Sequence, residues 1–336
     1  MTRTDGSPRS RRLFVLIFAV VLAVLWLVTP LILSDSTLTN LAYVGVWSIA
    51  AIGLVLLSGY GGQSSFAQPA FMAIGAFTTV NLGSEAGLPL IVYLFFAVVI
   101  SGAVGAFVGV IALRLEGQQL AIVSLGVLLV SQWVAYEARD LTGGENGKSA
   151  AQSSLAIGPL DFRALGDFTS NQSQFWLVWA IVALVALASL RLLSQRPGNA
   201  LISIRENSRA AAALGVNVRI EKLKAFTWAS ALGGLAGALY AAFQLYATPI
   251  DFGLFPAVFL LMALVIGGHD SVGGAILGVF VVWGGKQWVS DNAATDGSLS
   301  WLVKVPGSSE GIFAAGDLVS LVFGITLIVV LIAAPH

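Results

Sequence analysis

Residues 88–113 read LPLIVYLFFAVVISGAVGAFVGVIAL, without one charged side chain. A helix advances roughly 1.5 Å per residue, so about 20 consecutive apolar residues cross the hydrocarbon core of a bilayer. This run is long enough. A surface helix of a water-soluble protein would carry a polar stripe along one face, and no such stripe is present here. The stretch reads as a membrane span, and it sets the pattern for the rest of the chain.

Comparable apolar stretches lie at 13–33, 38–58, 63–82, 118–137, 173–194, 222–247, 254–268, 272–289 and 317–334. With 88–113 they predict an all-α fold, a polytopic transmembrane helical bundle of about ten membrane segments. Segment 63–82 opens on Gln63-Ser64-Ser65 and holds Gln68-Pro69, so it is read as either broken or re-entrant. Segments 254–268 and 272–289 are short and flank Gly267-Gly268-His269-Asp270. Composition agrees with the pattern. The 336 residues are 57% hydrophobic and 10% charged, with mean hydropathy +0.89. A soluble domain has about a quarter of its residues charged.

The same composition removes several kinds of chemistry. There is no cysteine, which excludes disulfides, thiolate catalysis and zinc–thiolate sites. His269 and His336 are the two histidines, too few for a His-rich metal site. No cofactor, no metal and no nucleic-acid partner is expected. Gly147-Lys148-Ser149 falls short of a phosphate-binding loop, because the glycine required five positions before Gly147 is Thr142. The chain is therefore not expected to hydrolyse nucleotide itself.

Charge distribution predicts orientation. Arg3, Arg9, Arg11 and Arg12 precede the run 13–33. That run is too long for a signal peptide and is followed by no A-x-A cleavage site, so it reads as a retained span behind a basic cytoplasmic tail, 1–12. The loop between 191 and 224 carries Arg191, Arg196, Arg205, Arg209, Arg219, Lys222 and Lys224 against Glu206 and Glu221. Cytoplasmic loops collect positive charge, so loop 195–221 is placed inside. Loop 139–170 is mixed and loop 290–316 net acidic, and both are placed outside. Ten crossings with both termini cytoplasmic satisfy these assignments, in a single transmembrane domain over 13–336. Gly105 and Gly109, Gly233 and Gly237, and Gly274 and Gly278 each stand four apart on one helix face. Such faces either pack helices closely or line a pore.

No charge sits in the middle of the clearest spans, whereas proton- or sodium-driven carriers usually keep ionisable groups there. Energy for transport is thus expected from outside the chain. Within loop 195–221, Pro197-Gly198 breaks the preceding helix, Asn199 is placed to cap a new one, and Gly215 is placed just past its end. The helix between them has apolar residues at 201, 204, 211 and 214 and is too short and too charged to span. It reads as either a helix lying on lipid headgroups or one that docks in a groove of a soluble partner.

The stretch Arg205-Glu206, Ala210-Ala211 and Ala213-Leu214-Gly215-Val216-Asn217 resembles the coupling loop of ABC importer permeases, and more closely that of the branched-chain amino-acid permeases. Three further stretches carry the resemblance. They are Leu57-Ser58-Gly59-Tyr60-Gly61-Gly62-Gln63-Ser64-Ser65-Phe66-Ala67, the loop Leu141-Thr142-Gly143-Gly144-Glu145-Asn146-Gly147, and Gly234-Leu235-Ala236-Gly237-Ala238-Leu239-Tyr240 followed by Gly267-Gly268 and Gly273-Gly274. The likeness runs from about 40 to 283 and favours the M-type member of the permease pair. Ser208, Arg209 and Ala212 depart from the acidic or aliphatic residues common in that coupling loop.

The resemblance implies a plasma-membrane (inner-membrane) permease of bacteria or archaea that moves branched-chain or other hydrophobic amino acids. It implies a second permease subunit, two ATP-binding subunits and an extracytoplasmic solute-binding protein as partners, with membrane lipid around them. Arg205, Glu206, Ala210, Ala211, Leu214 and Gly215 would form the ATPase-coupling element, and Thr142, Gly143, Gly144, Asn146 and Gly147 an external loop motif. Gln63, Ser64, Ser65 and Gln68 are candidates for the substrate path, since a broken membrane helix exposes backbone dipoles to a zwitterion. Related permeases serve urea, short amides or sugars. A stand-alone channel or facilitator is the rival from another class.

Overall fold

The computed structural model describes residues 28–112, 118–150, 155–157, 160–161, 168–293 and 324–325. The expected tail 1–12, most of the run 13–33, the greater part of loop 290–316 and nearly all of segment 317–334 lie outside them. The helices are α1 (Asp35–Leu54), α2 (Gln68–Thr78), α3 (Leu90–Ala112), α4 (Gln118–Glu137), α5 (Arg139–Thr142), α6 (Ser170–Leu193), α7 (Arg196–Glu206), α8 (Ser208–Ala213), α9 (Val218–Gln244), α10 (Leu254–Gly267) and α11 (Val272–Ala293). Two of them continue in wider π-helical turns, α1 through Val55–Tyr60 and α2 through Thr79–Glu85. Strand pairing among the described residues is confined to two small antiparallel ladders. β1 (Lys148–Ser149) pairs with β4 (Tyr246–Ala247), and β2 (Ala156–Ile157) with β3 (Leu160–Asp161).

Among the described residues six helical stretches are long and apolar enough to cross a membrane: Asp35–Tyr60, Leu90–Ile111, Gln119–Glu137, Ser170–Leu193, Val218–Gln244 and Pro249–Gly267. They match six of the expected segments. The other two that fall inside the described residues behave differently. Segment 272–289 becomes α11, which has the length of a span but carries Lys286. Segment 63–82 is not one helix. Residues 62–67 are non-helical, and α2 begins only at Gln68 with Pro69 in its first turn.

Side-chain contacts show how far along the bundle α2 begins. The Gln68 side-chain amide donates to the carbonyls of Ala50 (3.1 Å) and Ala229 (3.0 Å), both deep within α1 and α9. The far end of the same segment meets the end of the bundle, where Glu85 pairs with Lys148 at 2.7 Å. The segment therefore enters as non-helical chain and leaves as helix. Proline accounts for the start, because it has no N–H to lose in a first helical turn.

Burial separates an inner set of helices from an outer one. In α1, 83% of the membrane-length window is buried, and in α9, 67%. The corresponding shares are 28% for α3, 22% for α4 and 33% for α6. These outer helices expose large apolar side chains such as Phe95, Phe107, Ile122, Trp133 and Leu184. That is the surface expected of helices facing acyl chains, where apolar side chains cost nothing.

Lipid gives no hydrophobic drive for helices to associate, so close backbone approach and interhelical hydrogen bonds must supply it. A methyl group added at Gly75 would overlap the Gly234 carbonyl, and one at Gly237 would overlap that of Met72. Added at Gly278 it would overlap the carbonyl of Ala263, and at Gly105 the Ser230 hydroxyl. The paired glycines noted in the sequence face neighbouring helices and serve packing. Hydroxyls stitch the same contacts: Ser101 Oγ donates to the Ser230 carbonyl at 2.7 Å.

Gly75→Val is expected to destabilise the protein by about 1–3 kcal/mol or more, the usual cost of overpacking a tight interior. Gly126→Ala, where an added methyl meets nothing within 4 Å, should leave the melting temperature in detergent unchanged.

Candidate functional site

The segment 195–221 forms two helices, rather than the single one expected between Asn199 and Leu214. After α6 ends at Leu193, the chain turns so tightly that a methyl at Gly198 would overlap the Leu193 carbonyl. The turn leads at once into α7, capped at Gln195 instead of Asn199. At Asn207 the backbone opens to φ −157° and ψ 102°, and its side-chain oxygen accepts from the N–H groups of Arg209 (3.1 Å) and Ala210 (3.0 Å). Asparagine prefers this capping role to a helix interior, because its short side chain competes for nearby backbone groups. Asn207 therefore breaks the run and starts α8. Gly215 takes φ +88° just past the end of α8, and Val216 N–H donates back to Ala211 at 3.1 Å. That is the left-handed helix ending expected of a glycine there.

The segment has an inner and an outer face. Leu201, Ile204 and Ala211 are buried against the bundle. Leu214, expected on the same apolar face, instead points outward and is 86% exposed. Around it Ala210, Ala212 and Ala213 form the end of α8, and all three are exposed as well. The result is a small, smooth apolar surface at the free end of α8, with the charged Glu206 and Arg209 alongside.

Arg205 turns back into the chain. Its guanidinium donates to the Gly59 carbonyl at 2.7 Å and pairs with Asp270. Its alkyl stem covers Gly62, which has φ +62° and room for no larger residue without contact. Tyr60 Oη donates to the Asp270 carbonyl at 2.9 Å, and the Gly59 backbone lies against that of His269. Three elements thus meet at one end of the bundle: α7, the last turn after α1, and the turn between α10 and α11. A polar hollow beside them is lined by Gly62, Gln63, Arg205, Glu206, Arg209 and Lys222, among others.

The candidate path residues divide between two environments. Gln63 stands beside Arg205 in this hollow, its carbonyl accepting from Ser58 Oγ at 3.0 Å. Ser64 is exposed. Ser65 is buried, and its hydroxyl accepts from Ala67 N–H at 3.2 Å. Gln68 is buried in its clamp between α1 and α9. Ser124, on α4, accepts from Phe66 N–H at 2.9 Å and so holds the non-helical stretch.

The Thr142–Gly147 motif sits at the opposite end of the bundle and acts there as a clasp. Thr142 ends α5 and donates to the carbonyls of Ala135 (2.5 Å) and Ala138 (2.9 Å). Gly143, Gly144 and Gly147 all have positive φ, at +78°, +64° and +66°. L side chains rarely adopt that region. The turn delivers Lys148 into the ladder with β4, where its ammonium meets Glu85 at 2.7 Å and the Asp140 carbonyl at 2.7 Å. Tyr246 reaches the Asn146 carbonyl and Asn81 that of Leu141, so the ends of α2, α4 and α9 are tied together. Sequence reasoning names the motif but not Glu85, Asn81 or Tyr246, which come from distant segments. Asp270 escapes it in the same way, and only the run Gly267-Gly268-His269-Asp270 between two apolar stretches hints at it.

Fold and site together describe a membrane-embedded permease with no group among the described residues arranged for covalent chemistry. The chain belongs to the family described as branched-chain amino acid transport system / permease component, whose model matches residues 36–331. It is thus a transport subunit and not an enzyme. It is 31% identical over 304 residues to the high-affinity branched-chain amino acid transport system permease protein LivM of Escherichia coli, across 85% of this chain and 70% of that protein. The LivM of Salmonella typhimurium matches to the same extent. A probable branched-chain amino acid transport permease protein LivM of Methanocaldococcus jannaschii is 32% identical over 109 residues, covering 31% of this chain and 30% of that protein. No solved structure matches the chain.

Replacing Asn207 by Ala should cost about 1 kcal/mol in the cap and loosen α8. Limited proteolysis of the detergent-purified permease should then cut faster between 207 and 216, while Asn207→Asp should resist as the parent does.

Proposed function

We propose that the chain is one of the two permease subunits of an ABC importer in the plasma (inner) membrane of a bacterium or archaeon, carrying branched-chain or other hydrophobic amino acids. Two ATP-binding subunits serve the importer, one of them docking on the 195–221 loop, and a solute-binding protein delivers substrate to the opposite end. The relatives named for branched-chain amino acid transport support the substrate class. Contacts at the two ends of the bundle support the expected topology: Gly59, Arg205 and Asp270 meet at one end, and Glu85, Lys148 and Ala247 at the other. Taking α1 as running from the outer to the inner end, the segment 61–85 returns, α3 descends, α4 rises, α6 descends, α9 rises, α10 descends and α11 rises. Adding 13–33 and 317–334 gives about ten crossings with both termini cytoplasmic.

One observation carries the coupling role. The free end of α8 offers Leu214 and its alanines to a partner, while Arg205 on the neighbouring helix grips the end of α1 and the α10–α11 turn. A partner that pushes on α8 moves α7 with it. Arg205 then pulls on two places where helices of the bundle end. Glu206, Ala210 and Ala211 build this lever, and Gly215 ends it. Gly59 through Gly62 lead directly into the non-helical stretch before Gln68, so the lever acts on the part of the chain that holds Gln63, Ser64 and Ser65.

The two halves of the lever separate by experiment. Leu214→Asp is expected to abolish copurification of the ATPase subunits. Arg205→Ala should leave the complex assembled but reduce substrate-stimulated ATPase in proteoliposomes by tenfold or more. Unchanged stimulated ATPase in both variants would refute the docking assignment, and ATP-independent equilibration of leucine by the permease alone would establish a facilitator instead.

A further inference from the structure

At the end of the bundle where α9 stops and α10 begins, a cavity of about 440 Å³ opens between α1, α9, α10 and α11. Its volume falls within the range of roughly 300–1,000 Å³ typical of small-molecule sites. Its walls are aromatic. Trp47 and Trp283 stack with ring centroids 4.3 Å apart, and Tyr240 lies 6.0 Å from both Tyr43 and Trp47. Trp47 is the lining residue of α1 furthest from that helix's outer start, after Asn40, Tyr43 and Val44. The tryptophan pair therefore closes the inner side of the cavity.

Two opposite charges face the same space. Asp251 is fixed by Thr248, whose N–H and hydroxyl both donate to its Oδ2, at 3.0 and 2.8 Å. Lys286 on α11 lies 5.9 Å above the Phe259 ring. Neither forms an ion pair, with the other or with any of the described residues. An ionisable residue within a membrane span is costly and marks a functional site by default, and the residues of α11 before Lys286 carry no charge. Here the helix supplies an ammonium and the opposite wall a carboxylate, and the gap between them is lined by rings.

We propose that this cavity receives a free zwitterionic amino acid: its carboxylate meets Lys286, its ammonium sits between Asp251 and the faces of Tyr240 and Trp47, and its apolar side chain lies against Trp283 and Phe259. A zwitterion neutralises both charges at once. A ligand with one charge leaves the other without a counter-charge, and a site built for a polar group rejects analogues lacking it. The aromatic faces add cation–π attraction for the ammonium and contact area for an aliphatic chain. The inference rests on the amino-acid reading of transport given above and adds where in this chain the substrate is recognised.

The test uses the assembled transporter in nanodiscs without its binding protein, with saturation-transfer NMR on leucine, leucinamide and isopentylamine as probes. Leucine should bind and the two analogues, each lacking the carboxylate, should not. Lys286→Gln should raise the dissociation constant for leucine at least tenfold, with Lys286→Arg restoring most of it. Asp251→Asn, which keeps an oxygen for Thr248, should weaken leucine similarly. Turnover at saturating loaded binding protein should fall in the same order. If the parent complex imports leucine but Lys286→Gln binds and turns over as it does, the site is wrong and the transport reading stands. If the parent complex imports no amino acid, both fall together.

Discussion

Where α2 crosses α9, Gly75 and Gly234 touch backbone to backbone, and three residues further along α9 Gly237 rests on the Met72 carbonyl. This contact exists because nothing larger fits and because lipid offers no other reason for the helices to stay together. Gln68 sits at the edge of the same contact and ties α2 to both α1 and α9. Ser101 brings α3 onto the crossing from the other side, through Phe71 and Ser230. The position of α2 then decides where the non-helical stretch 62–67 must run, and that stretch in turn begins beside Arg205. The interior seam and the contacts of Arg205 are parts of one arrangement.

The two ends of the bundle are built on different physical principles. The end that holds residues 142–148 is a clasp of positive-φ glycines, a short ladder and Lys148 with several partners. The opposite end relies on one side chain with a long reach, Arg205, which bridges separate elements through a carbonyl and a carboxylate. The Arg205–Asp270 pair is open to water on both sides, so the bridge is weak enough to be remade. A clasp at one end and a movable link at the other suit a protein that changes shape about a fixed edge.

Much of the fold is legible in the sequence because period and length suffice for it. Uninterrupted apolar runs specify spans whatever their neighbours, and Gly215 after an alanine run specifies a helix end. The misreadings have physical sources. Asn199 lies inside α7 because the tight turn at Gly198 lets the helix start earlier, and Asn207 ends that helix by capping α8. Leu214 falls on the buried face only if the period of α7 continues across that break. Asp270 is inconspicuous in sequence, and only the folding of α10 and α11 brings it to Arg205. Lys286 sits within a stretch whose apolar average hides one costly charge. The glycine pairs announce close packing, but which helix each would meet required the structure.

The crossing of α2 and α9 has a consequence for how such a chain can vary. Because successive helical residues are separated by about 100°, inserting or deleting one residue in α9 between Ser230 and Tyr240 would swing every later small residue off the seam. Tyr240 would leave the aromatic wall in the same rotation. Side chains along this helix can drift, but its residue count between loop 195–221 and the aromatic cavity cannot, so the distance between the two ends of the permease is recorded in the sequence as an integer.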